Sequence, residues 1–254
     1  MSGARRRLLA LAVLVVLAAS ACHTDVRVRV DVEDDGSGAV SVAVGLDAEA
    51  LSRIPDLADQ LRVDDLARAG WTVTGPAEEE DGRTWVRATK PFADPDEMAD
   101  VMAEVAGTNG PFLDFSASVD RSLARSKVEA RGTVDLSGGL EAFADPQVTQ
   151  RLGGLPFGQD LAGLLGDTPP AEAVTVTVAL ALPGDLSPVG ATREEPGVAV
   201  WEVPLGGQPV DVAATSSQVR MATVVWLGVA ALAVLGLVGV VGIRALTSFR
   251  YRYW

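Results

Sequence analysis

Val26-Arg27-Val28-Arg29-Val30-Asp31-Val32, the polar run Asp34-Asp35-Gly36-Ser37-Gly38, and Val40-Ser41-Val42-Ala43-Val44 decide the fold class of this chain of 254 residues. Every second residue in the two flanking runs is valine, the period of a strand with one buried and one wet face. Asp-Gly and Ser-Gly between such runs are turn chemistry, so the stretch reads as an antiparallel hairpin. Asp31, Glu33, Asp35 and Gly36 also match the opening of a calcium loop. The twelfth position of that loop is Val42, which cannot supply the required carboxylate. The hairpin accounts for the same residues.

Working outward, Asp47 to Ala69 reads as helical, interrupted at Pro55, with Leu57, Leu61, Leu66 and Ala69 on one side. Trp71 to Thr74 and Thr84 to Thr89 read as strands around an acidic loop. Asp94-Pro95-Asp96-Glu97 opens a helix, with aspartate as cap, proline in the first turn and acids at the positive dipole end. Met98, Val101, Met102 and Val105 form its apolar stripe. Phe112 to Val119, Lys127 to Leu136, Ala173 to Leu182, Val198 to Val203 and Val210 to Ala214 complete about eight strands. Gly138 to Asp167, rich in Gly, Leu and Phe, reads as short broken helices. The expectation is an α+β domain: a curved, mainly antiparallel sheet with a few helices packed on one face.

The two ends carry the information on location. Arg5, Arg6 and Arg7 precede the apolar run Leu8 to Ala18, and Ala19-Ser20-Ala21 leads to Cys22, the only cysteine. A charged start, a short apolar run and small residues before a cleavage point make residues 1–21 a signal peptide of lipoprotein type. Two fates are open to Cys22, a free thiol or acylation, with palmitate a fitting chain. A sole cysteine at the first mature position favours acylation. Met221 to Ile243 holds no charge over 23 residues, about 35 Å as a helix, enough to cross a bilayer. Arg244, Arg250 and Arg252 follow it and only Arg220 precedes it, which places the tail 244–254 in the cytoplasm and the domain 22–215 outside. Residues 216–220 read as a short linker. The expected location is the cytoplasmic membrane, with the domain on its extracytoplasmic side.

Between the ends lie all 34 acidic residues and 14 of the 21 basic ones, a net charge of −20. Such a field repels nucleic acid. The sole histidine, His23, follows Cys22 and reads as remote from any folded pocket, which excludes Ser-His-Asp and Cys-His chemistry and histidine-rich metal sites. No catalytic residue, metal ligand or cofactor-binding loop stands out. Two groups remain as binding candidates. Arg121, Arg125, Lys127 and Arg131 concentrate positive charge that suits phosphate headgroups. Phe143, Leu152, Leu155, Phe157 and Leu161, among interspersed glycines, suit an apolar cover over a lipid pocket.

Asp-Gly-Ser-Gly at Asp35 to Gly38, Ala-Gly-Trp at Ala69 to Trp71, Pro183-Gly184, and Val200-Trp201-Glu202-Val203-Pro204-Leu205-Gly206 follow one another between a lipoprotein signal and a C-terminal membrane helix. In that order the chain resembles the actinobacterial LppM-type lipoproteins. The resemblance implies a curved-sheet α+β domain, no enzymatic activity, and binding of a membrane lipid or glycolipid of the cell envelope. It implies acylation at Cys22 and transfers no catalytic residue. The alternative is a structural protein that positions an envelope complex through a protein partner the sequence does not name.

Overall fold

The computed structural model describes residues 23–52, 63–107, 110–122, 124–139 and 169–219. The first hairpin forms as its alternation requires: β1 (Thr24–Val32) pairs antiparallel with β2 (Gly38–Leu46) from Thr24 opposite Leu46 to Val32 opposite Gly38. Gly36 takes φ 85° in the turn, where a side chain would be strained. Two short helices follow, α1 (Ala48–Ser52) and α2 (Val63–Arg68), separated by residues outside the described set. Strands β3 (Thr72–Glu78) and β4 (Thr84–Phe92) add to the β2 edge. Helix α3 (Pro95–Ala106) starts where the sequence places it: Asp94 Oδ1 accepts from the Glu97 amide at 2.9 Å, and Glu97 Oε2 accepts from the Ala93 amide at 2.6 Å. The two carboxylates thus satisfy two amides at the helix start, one inside it and one just before the cap.

The second half supplies β5 (Phe112–Arg121), β6 (Arg125–Val134), the single turn α4 (Pro170–Ala173), β7 (Val174–Ala181), β8 (Asp185–Val189), β9 (Arg193–Glu195), β10 (Val198–Val203) and β11 (Val210–Val219). Among the described residues, two open sheets result. One has seven strands in the order β3-β4-β2-β1-β7-β10-β9; the other has four in the order β5-β6-β11-β8. The pairing of β1 with β7 is parallel and the other pairings are antiparallel.

The described residues are mostly strand with few helices, consistent with α+β, yet the single expected sheet is two. Val28, Val30, Val176, Val178 and Trp201 from the larger sheet share one core with Phe115, Val128, Val134 and Val212 from the smaller. Helix α3 adds Met98, Val101 and Met102 to the same core. Alternation in β6 and β11 shows that each has an apolar face. It does not show what covers that face, and a second sheet serves as well as a helix.

Two further differences have local causes. Strands β8 and β9 are short, largely exposed edge segments with little apolar signal, and β8 contains Pro188, which only an edge tolerates easily. Residues 216–219 read as linker because of their polar composition. They are strand: β11 runs to Val219, paired with β6 as far as Arg125, and Ser216 is buried.

Packing is tight where Trp85 crosses β2. A Cβ on Gly45 would come within 2.6 Å of the Trp85 ring. We expect Gly45→Val to lose about 2 kcal/mol through overpacking, and Asp94→Ala about 1 kcal/mol through the lost cap. Urea denaturation of residues 23–219, followed by tryptophan fluorescence, measures both.

Candidate functional site

The β5–β6 hairpin carries the four candidate cations, and strand parity divides them. Ser126, Val128 and Ala130 point into the core, so Arg125, Lys127 and Arg131 share the outward face of β6. Arg121 lies opposite Ser126 and therefore belongs to the other face. Its Nε donates to the Asp34 carbonyl at 3.3 Å, clipping the hairpin end to the β1–β2 turn. Lys127 faces Asp120 across the strands and has Nζ 3.5 Å from Glu129 Oε2. Arg131 donates to Ser116 Oγ at 3.3 Å and stands six residues along β6 from Arg125, about 20 Å. The structure thus gathers Arg125 and Lys127, places Arg121 behind them, and leaves Arg131 apart.

This end of the hairpin is also where β11 ends. Val219 pairs with Arg125 and Ser217 with Lys127. Gln218 Nε2 donates to Asp34 Oδ2 at 3.2 Å, so the same turn holds both strands. Ser126 and Ser216 lie on the inner wall here, buried, with hydroxyls that find no hydrogen-bond partner among the described residues. Asp35, in the turn, is held below the usual carboxylate range, first by the Ser37 hydroxyl and then by the Ser37 amide, with the Arg121 charge adding to both.

A second polar cluster, missed from sequence, occupies the outward face of the larger sheet at the other end of β1. The buried Asp25 carboxylate receives Arg83 Nη1 and lies 3.5 Å from Arg27 Nη2 and 3.4 Å from His23 Nε2. Arg27 stacks 4.1 Å above the Trp85 ring, and Arg87 lies 5.2 Å from it. Trp85 Nε1 donates to the Asp81 carboxylate. The alternation Arg83-Thr84-Trp85-Val86-Arg87 was the available signal: both arginines and the ring must share one face.

His23 corrects the sequence expectation that it stands clear of the fold. Its amide donates to Asp47 Oδ2 at 2.6 Å, its carbonyl accepts from the Asp47 amide at 3.3 Å, and its ring is 3.2 Å from Thr175 Oγ1. Thr175 and Asp25 both approach Nε2. A proton relay of the Ser-His-Asp kind needs its partners on opposite ring nitrogens, so these residues form a brace.

Open depressions mark the surface of the described residues. One, about 720 Å³, lies on the outward side of the smaller sheet beside Arg131, Thr133, Asp211 and Val189. Another, about 340 Å³, lies beside Val174, Glu202 and Leu205. Cys22, the apolar group Phe143, Leu152, Leu155, Phe157 and Leu161, and the span 221–243 lie outside the described residues. Among the described residues, no helix is long and apolar enough to cross a membrane.

No protein-family model matches the chain, and a search of curated proteins finds no match. Among solved structures, the chain is similar to the folded domain of the LppM protein of Mycobacterium tuberculosis, determined by NMR. The two are 17% identical, with a TM-score of 0.40 over 80% of this chain and 94% of that one.

Acid sensitivity follows from three hydrogen-bonded carboxylates in separate loops. Asp35, Glu79 and Asp135 all have lowered pKa values, caused first by Ser37, Arg87 and Ser137 respectively. A lowered folded-state pKa stabilises the fold fully above the unfolded value, near pH 4, and that contribution disappears as pH falls through the lowered value. Stability from these groups should therefore be flat above about pH 5 and decline below about pH 4. Carboxyl NMR titration checks the assignment: Ser37→Ala should raise the Asp35 pKa and leave Glu79 unchanged.

Proposed function

We propose that this chain is an exported, membrane-anchored lipoprotein without enzymatic activity that binds an envelope lipid or glycolipid. The observation that supports it most is the position of Arg125 and Lys127. They flank the end of β11, where Val219 is separated by Arg220 alone from the apolar run 221–243. If that run enters the bilayer, both cations stand at headgroup depth, where a lysine or arginine contributes about 1 kcal/mol against an anionic surface. On a body of charge −20, this local exception is what a phosphate-bearing ligand needs. The acyl part would need an apolar pocket, for which the sequence offers Phe143, Leu152, Leu155, Phe157 and Leu161, outside the described residues, as a cover. The engagement of His23 with Thr175 and Asp25 supports a non-catalytic reading.

A second reading, a protein that positions an envelope complex, draws on the other end of the smaller sheet. Val189 is 67% exposed and Leu113 42% exposed near the larger depression, and such side chains suit a protein contact.

Titration of residues 23–219 with short-chain phosphatidylglycerol, followed by NMR, tests the first reading. We expect shifts centred on Arg125 and Lys127, and at least about tenfold weaker binding in Arg125→Glu/Lys127→Glu, from about 1 kcal/mol per cation. Arg131→Glu should bind as the parent does. No binding, or shifts confined to Leu113 and Val189, would replace lipid recognition with the second reading; equal binding by the double variant would remove Arg125 and Lys127 from the lipid site.

A further inference from the structure

The two membrane attachments leave the fold at opposite ends of β1. His23, next to the acylation point, is fixed at the first end by Asp47, Thr175 and Asp25. Val219, next to the span, is fixed at the second: it pairs with Arg125, and its neighbour Gln218 bonds Asp34 in the turn that follows β1. Strand β1 separates these points, and its eight steps from Thr24 to Val32 cover roughly 26 Å at about 3.3 Å each.

Neither attachment has more than one residue of linker. No residue intervenes between Cys22 and His23, and one residue, Arg220, lies between the end of β11 and the apolar run. A trans peptide step is about 3.8 Å. The joints therefore cannot make up a difference of some 26 Å in height.

We propose that the domain lies lengthwise on the bilayer, with the axis of β1 parallel to the surface and both of its ends at headgroup level. This rests on the anchoring proposed above, with the acylated Cys22 and the span 221–243 in one membrane. An upright domain, standing on the span with His23 pointing away, is incompatible with a lipid attached directly before His23. The partner is a lipid surface, and the contacting flank is the one that joins His23 to Val219. At the second end, Arg125 brings positive charge to this contact, beside Lys127, which shares its charge with Glu129.

Energy transfer to headgroup-labelled lipid in vesicles tests the orientation. The full chain, acylated in cells, is reconstituted in phosphatidylethanolamine and phosphatidylglycerol carrying a rhodamine-labelled headgroup. A donor dye is attached at Glu80→Cys, in the β3–β4 turn at the His23 end, or at Ser217→Cys, at the other end; both sites are exposed. We expect strong transfer from both sites. A long Gly-Ser linker inserted between Cys22 and His23 should reduce transfer from position 80 severalfold and leave position 217 unchanged. Near-background transfer from position 80 in the unmodified chain, or no effect of the linker, overturns the proposal. Failure of the anchoring itself shows differently, as release of the chain from vesicles at alkaline pH or an N-terminus without an acyl mass.

Discussion

The parallel pairing of β1 with β7 is the contact on which the rest of the structure depends. It joins residues about 150 positions apart, from Thr24 opposite Val174 to Asp31 opposite Ala181. Without it, β3-β4-β2-β1 and β7-β10-β9 would be two separate ribbons. With it, Val28 and Val30 lie beside Val178 and Leu180 in one continuous wall, nearly inaccessible to water. That wall is wide enough to receive the smaller sheet and α3 together. Closing so long a loop costs entropy that grows slowly with length, and the buried valines offset it at about 25 cal/mol per Å² of apolar surface removed from water.

The two ends of β1 are then held by different chemistry. At the first, Asp25 is buried among Arg83, Arg27 and His23, and the pairing must be kept because a lone buried carboxylate is costly. At the second, the turn at Asp34 accepts Arg121 and Gln218 from the smaller sheet, which locks the two layers at that end. A central strand fixed at both ends acts as a rigid spacer. Whatever is attached before His23 and after Val219 therefore has a defined separation, a consequence of pairing and bracing rather than of any motif.

What was legible in the sequence was local. The Val26 to Val44 hairpin and the Asp94 cap of α3 come from neighbouring residues, and both formed as read. The second sheet was not legible, because period-two alternation in β6 and β11 identifies an apolar face and says nothing of its partner. The Thr215-Ser216-Ser217-Gln218 end of β11 looks like linker by composition; pairing with β6 makes it strand. In the candidate site, parity alone could have placed Arg125, Lys127 and Arg131 on one face. Arg121 escaped that logic because the turn after it resets the register. The Asp25 brace was hidden because its members come from β1, the β3–β4 turn and the residue before β1, and only the fold brings them together.

Charge gives the proposed orientation its physical sense. A body of net charge −20 placed against an anionic leaflet is repelled over a Debye length of about 8 Å at physiological salt. Held at one point, such a body would swing until repulsion and tether balanced, and the end remote from the tether would spend its time out of reach. Held at both ends of β1, as proposed, it would not rotate off the surface without lifting the acyl anchor or the span. Extracting a single acyl chain costs about 0.8 kcal/mol per buried CH₂, far more than screened repulsion between an acidic surface and headgroups can supply. On the proposed anchoring, the span would keep Arg125 and Lys127 at headgroup depth, and the acyl group would serve less to retain the protein than to hold the His23 end of β1 at the surface as well.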